Sequence, residues 1–356
     1  MSFKLPYGNQ TNWGGLVLVQ PSAAPVVNDA IAVAHASSPA VSAYPWSSLG
    51  FGTKFSDPAT LPTVNGSFVD FTQAKDAIAV SHNLSPYVSA YPWSSSGFGT
   101  KYDNPATLPP NAGNGVAFTP ADDAIAVAHV SSPLVSAYPW SSVSGFGTRF
   151  SNPSPGINSV PNKVAFSNAS DVIAFGITST PYINAYVWSS GLGFGTKFGN
   201  PSTLPTGGGR LLAFTTSNDA IALAHNNSPY ISVCAWSVAG FGTKFSNPAT
   251  LPTSTGFGTA FTRADDAIAI AYGATPYILV YAWSVAGFGT KFSDPATLPT
   301  GTGLGVAFTP ADDAIAVAHA TTPFVSVYPW SNLGFGTKFS DPAILPTGNG
   351  NGVAFN

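Results

Sequence analysis

Histidine is the first place to look for chemistry, and this chain holds five: His35, His82, His129, His225 and His319. Each falls six residues after an aspartate, and where the same frame recurs at Asp171 and Asp266 the position is taken by Ile177 and Tyr272. Five imidazoles in one register invite a metal site. Ligands, however, must approach one ion to ~2.0–2.1 Å, and equivalent strands of separate repeats stand roughly 10 Å apart or more when adjacent strands alone are ~4.8 Å apart. A hydrogen-bonding role inside each repeat fits better, and no metal or cofactor is expected. Seven cations (Lys54, Lys101, Arg149, Lys197, Lys244, Lys291 and Lys338) likewise recur after a Gly-Phe-Gly-Thr motif. Paired with the seven aspartate anchors they would set register, each exposed pair contributing only ~0–1 kcal/mol.

Nucleophilic catalysis has little to draw on. Cys234 stands where six repeats carry tyrosine (Tyr44, Tyr91, Tyr138, Tyr186, Tyr281, Tyr328), which reads as a buried filler. No Gly-x-Ser-x-Gly elbow occurs. A glycosidase would need two unlike carboxylates at one place, yet thirteen of the fifteen aspartates occupy repeated positions. Active sites break a repeat's symmetry, and few ionisable residues here do so. The sequence is therefore read as non-enzymatic. One repeated position varies suggestively: after a hairpin proline come Tyr87, Tyr182, Tyr230, Tyr277 and Phe324, with Ala40 and Leu134 in the other copies. Aromatic faces suit wet interfaces with sugars or partner side chains, so these five are the candidate contact residues. Packing at a strand start is the plainer alternative.

The frame that must position these residues is a repeat. Its anchors are Asp29, Asp76, Asp123, Asp171, Asp219, Asp266 and Asp313, spaced 47 or 48 residues apart, each followed 17 residues later by a tryptophan. A period of this length marks a solenoid, an array or a propeller. Within one copy, Ala124–His129 alternates alanine with branched residues at the period of a strand, and Gly115–Phe118, Leu134–Trp140 and Gly145–Phe150 supply three more short strands. The chain contains no Glu, charged residues are 8% of it against roughly 25% in an ordinary soluble protein, and no helical pattern appears. Four antiparallel strands per copy and seven copies predict an all-β, seven-bladed β-propeller. The innermost strand precedes blades two to seven, but blade one has none in register. The terminal run Gly352-Val353-Ala354-Phe355-Asn356 is expected to complete blade one and so remove an open edge.

Val116-Ala117-Phe118-Thr119-Pro120 and Val135-Ser136-Ala137-Tyr138-Pro139-Trp140-Ser141 resemble two strands of the WD-repeat family, from about residue 29 to the end. Serine rather than aspartate follows each tryptophan and the Gly-His dipeptide is missing, so that family's hydrogen-bonded tetrad is not carried over. The phrase Tyr-Pro-Trp-Ser…Gly-Phe-Gly-Thr-Lys-Phe is similar to that of repeat proteins encoded by tailed bacteriophages. The resemblance implies a virion component: tail, fibre-associated or decorating the head.

Two segments follow: an N-terminal extension (1–28), a strap or docking arm carrying Trp13, Leu16 and Leu18, and the propeller (29–356). The expected function is a non-enzymatic structural or adhesive binding module of a virion. A soluble glycan-binding lectin with repeated sites and a protein-interaction scaffold are the alternatives. Expected partners are other virion proteins or a host-surface glycan or protein, with the chain an oligomer or present in many copies. A net charge of −3 without basic clusters leaves no footprint for nucleic acid. No stretch approaches the ~20 apolar residues of a membrane span, and no secretory signal opens the chain. The expected location is the virion, or outside the cell after lysis, following synthesis in the cytoplasm.

Overall fold

A computed structural model describes residues 29–356. The 1–28 extension, with Trp13, Leu16 and Leu18, lies outside the described residues. Seven four-stranded antiparallel sheets form the seven blades of a β-propeller, as the period implied. In blade three the strands run from the axis outward as Gly113–Phe118, Ala124–His129, Val135–Ser141 and Gly145–Phe146. Gly350–Phe355 pairs antiparallel with Ala30–His35, so the end of the chain supplies the innermost strand of blade one.

The alternation of small and large residues in each second strand explains how blades pack. Ala77, Ala79 and Ala90 of blade two form one buried cluster with Val116, Phe118, Ile125, Val127, Tyr138 and Trp140 of blade three. The alanine face of one blade thus receives the branched and aromatic face of the next, and all six residues of Ala124–His129 are buried. Trp140 meets Tyr102, Phe118 and Phe146 edge to face at 5.0–5.1 Å between ring centroids, a favoured aromatic geometry. The glycine opening each outer strand is required by this seam. At Gly193 φ is +79°, and an added Cβ would lie 2.9 Å from Phe150 of the preceding blade.

Polar repeats close each blade at both ends. At one end Thr119 Oγ1 donates to Asp123 Oδ1 (2.7 Å) and accepts from Ala124 N (3.0 Å). At the clasp Asn356 takes the threonine's place, its Oδ1 accepting from Ala30 N at 2.7 Å. At the other end His129 Nε2 meets Ser136 Oγ at 3.1 Å and Nδ1 meets Ser131 O at 2.9 Å. Burial pushes that imidazole down to about 4, so it is neutral, with Nδ1–H donating to the carbonyl. The histidines therefore work within their own blades. The expected pairing of anchors with the repeated cations is corrected. Six anchors accept from Thr or Ser hydroxyls and Asp29 pairs with Lys75, whereas Lys54 and Lys338 pair with the turn residues Asp57 and Asp341 three positions on.

Candidate active site

The innermost strands wall an axial channel, and here the repeat is broken. In six blades the second residue of that strand sits where register with the neighbouring strand shifts by one: Ser67, Asn114, Asn162, Phe257, Leu304 and Asn351. In the seventh the shift spans Arg210 and Leu211. A bulge of this kind re-aims a side chain out of the sheet. These residues, with Asn65 and Lys163, line a cavity of about 330 Å³ at the mouth of the channel, the end where the innermost strands begin.

Three asparagines form a partial belt around the mouth. Asn114 Nδ2 donates to Pro161 O (3.0 Å), Asn162 Nδ2 to Gly209 O (2.6 Å) and Asn351 Nδ2 to Gly66 O (2.8 Å). Each amide nitrogen gives an N–H to the next blade, and the amide oxygens of Asn114, Asn162 and Asn351 can accept from hydroxyl groups. Two cations stand beside them. Lys163 Nζ donates to Asn114 O (2.6 Å) and Ser67 O (3.0 Å) and lies 4.4 Å from the centre of the Phe68 ring. The Arg210 guanidinium lies over Phe257 at 5.5 Å, and its buried Nε meets no acceptor among the described residues. Burial pushes the Lys163 amine down to about 7, with the Arg210 charge adding to the effect. Lys163 is half-buried, open to the cavity on one side and surrounded by blades on the others.

The third departure is Asp70, at a position that is alanine in the other six blades (Ala117, Ala165, Ala213, Ala260, Ala307, Ala354). Its Oδ2 accepts from Phe118 N at 2.8 Å. Burial drives its carboxyl up to about 7; the Phe118 and Phe71 N–H groups hold it back, and the Asp122 charge raises it further. Asp70 lies toward the opposite end of the channel and does not line the mouth.

The sequence singled out none of these three, judging that few ionisable residues leave the repeat. The signal was present: aligning the innermost strands alone shows Asp70, Lys163 and Arg210 as non-repeat charges. The aromatics Tyr87, Tyr182, Tyr230, Tyr277 and Phe324 lie on the hairpins at the mouth end, half-buried, each with φ between 68° and 71°. Their carbonyls accept from the end of the second strand, as Tyr87 O does from His82 N at 3.0 Å. They are structural members of the hairpins, and they do not line the axial cavity. A second cavity of about 290 Å³ lies at the seam of blades one and seven, lined by Asp29, Trp46, Lys75, Asp313 and Phe355. Its lysine is already paired with Asp29, so size does not separate the two cavities but unspent charge does. Among the described residues no three His, Cys, Asp or Glu side chains come together to hold a metal.

Seven four-stranded blades closed by the last strand place the chain among the seven-bladed β-propellers. No family model matches it, and no curated protein does. Solved structures do. One is a protein of Bacteroides fragilis provisionally assigned as a 6-phosphogluconolactonase, 11% identical, with a TM-score of 0.74 over 94% of this chain and 99% of that one. Another is the periplasmic gluconolactonase PpgL of Pseudomonas aeruginosa, 13% identical, TM-score 0.68, over 92% and 99%. A protein from Lactobacillus plantarum is similar at 14% identity, TM-score 0.72, over 92% and 99%. At these identities the likeness defines the fold. It also corrects the functional reading: among similar structures whose names give a function are two provisionally assigned 6-phosphogluconolactonases and a gluconolactonase, where a phage structural protein or a WD-repeat scaffold was expected. The non-enzymatic virion, lectin or scaffold module is therefore withdrawn. The physical reason is the one above, that three charges leave the repeat and two of them converge.

Proposed function

We propose that the protein is a hydrolase acting at the mouth of the axial channel, with an anionic sugar lactone as its substrate class. The observation that carries this reading is the convergence of Lys163 and Arg210, the two cations lining the axial cavity, on a belt of amide acceptors. Arg210 offers unspent N–H donors to a phosphate or carboxylate, a geometry that guanidinium suits. The Asn114, Asn162 and Asn351 amide oxygens offer acceptors to sugar hydroxyls. An uncharged Lys163 amine spends its two N–H bonds on the carbonyls of Ser67 and Asn114, which leaves its lone pair as a base. It takes a proton from water as the oxygen adds to the lactone carbonyl. The ring C–O bond then breaks, and the departing alkoxide receives that proton, giving the hydroxy acid. A base that titrates near neutrality suits this task. The lactonase names of similar propellers support the reading.

The test is consumption of 6-phosphogluconolactone and of gluconolactone by the purified full chain, measured against spontaneous hydrolysis. Acceleration is expected, larger for the phosphorylated lactone, with Arg210→Met raising KM for that substrate by about tenfold or more, the scale of one lost charge-assisted contact. A rate equal to the spontaneous one for both lactones would overturn the proposal.

A further inference from the structure

Opposite the channel mouth, where the second strands begin and the third strands end, the propeller presents a face of another kind. The hairpins joining third to fourth strands carry an aliphatic residue at the tip in six blades: Leu49, Val143, Leu192, Val238, Val285 and Leu333, each between 83% and 93% exposed. Three of the tips are braced by a hydrogen bond within the hairpin. Leu49, Val143 and Leu333 N–H groups donate to the Oγ of Ser47, Ser141 and Ser331, each at 3.2 Å. Single exposed aliphatics are ordinary, but the same exposure six times on one rim is a surface property.

That face is also acidic. The seven aspartate anchors and Asp122, Asp265 and Asp312 all lie at this end, against two cations, Lys75 and Arg263. Most of these carboxylates are held by hydroxyl or backbone donors, as Asp312 is by Arg263 N and Ala264 N, both at 2.8 Å. Such bonds fix the carboxylates without cancelling their charge. An acidic, apolar-tipped ring repels another copy of itself and the anionic surface of a membrane leaflet.

We infer that this face docks a basic partner protein, whose cations meet the aspartates while apolar recesses receive the Leu and Val tips. Electrostatic complementarity would steer the encounter and the aliphatic tips would hold it. The inference is independent of the axial site.

The probe is a synthetic amphipathic helix of lysine and leucine, titrated into the full chain at about 0.15 M salt, beside a polylysine of equal charge. The expected result is saturable binding of the amphipathic helix, tighter than polylysine by about tenfold or more, as burial of several aliphatic tips implies. A variant with all six tips changed to serine should lose that margin while keeping its melting temperature, because the same hairpin of blade two already carries Ser95 and Ser96. Equal affinity of variant and parent overturns the inference, as does the absence of binding. Binding of the parent to neutral phosphatidylcholine vesicles in preference to the helix would also overturn it, because the tips would then be a lipid anchor.

Discussion

The second strands and the innermost strands of this propeller have diverged in opposite ways. Second strands are near copies of one another, Ala-Ile-Ala-Val-Ala-His in three blades, and every residue in them is buried. Innermost strands mostly share Val, Ala and Phe where they face neighbouring blades, with Asp70 replacing the Ala in blade two, yet the residues lining the channel mouth run through Ser, Asn, Lys, Arg, Phe and Leu. Packing between blades imposes one solution seven times, because each alanine face must fit the next blade's aliphatic face. The channel imposes no such repetition, and its departures from the repeat mark where chemistry can reside.

Four experiments would break or sharpen that contrast. The largest effect is expected on deleting residues 350–356, which removes the innermost strand of blade one and bares the edge of Ala30–His35. The melting temperature should fall by on the order of 10 °C or more for a domain of this size, and an unchanged melting curve would show that the ring does not depend on its clasp. Next comes the second strand itself. Ile125→Ala should cost about 2–4 kcal/mol by leaving a cavity at a fully buried seam, whereas Asn162→Ala, on the channel wall, should stay within about 1–2 kcal/mol. Equal losses in urea unfolding would erase the distinction between the two strands.

The third concerns pH. Five histidines sit near 4 in the folded protein against 6.5 in a free chain, through burial. The unfolded chain therefore binds more protons between those values, and the histidines' contribution to stability is full above 6.5 and lost as pH falls toward 4. Asp70 runs the other way. Its carboxyl is raised to about 7 from 3.8, so its contribution is present below 3.8 and lost as pH rises through 7. Melting temperature should fall between pH 6.5 and 4, and Asp70→Asn should steepen the fall by removing the opposing group. A flat profile over that range would show that the histidines titrate normally. The smallest effect is at the rim: Tyr230→Ala, a half-buried hairpin residue, should leave lactone turnover within about twofold, a change of less than 0.5 kcal/mol.

Much of the architecture was legible in the residues. The Asp-to-Trp interval counts the blades, Ala/Ile alternation reveals two covered sheet faces, and the orphan Gly352–Asn356 run foretells the closure. The histidines' role was legible too, from their fixed offset. The site was harder to read, because Lys163 and Arg210 stand 47 residues apart in different blades and meet only once the sheets close around the axis. Scoring charges by their recurrence hid them among the seven repeated cations. The bulge that aims Arg210 inward has no sequence marker of its own. The aromatic series after the hairpin prolines is a regular feature of the hairpins at the mouth end and stands apart from the axial cavity.

The most direct test sets one channel cation against one repeated cation in the same assay. Lys163→Met and Lys197→Met would be compared with the parent for hydrolysis of 6-phosphogluconolactone, with kcat followed from pH 6 to pH 9. Loss of a general base predicts a fall of about 10²-fold or more for Lys163→Met, and a parental kcat that rises through about pH 7, where the Lys163 amine loses its proton. Lys197→Met should keep the parental rate and profile. Equal rates for the two variants, or a parental rate no faster than spontaneous hydrolysis, would contradict the account.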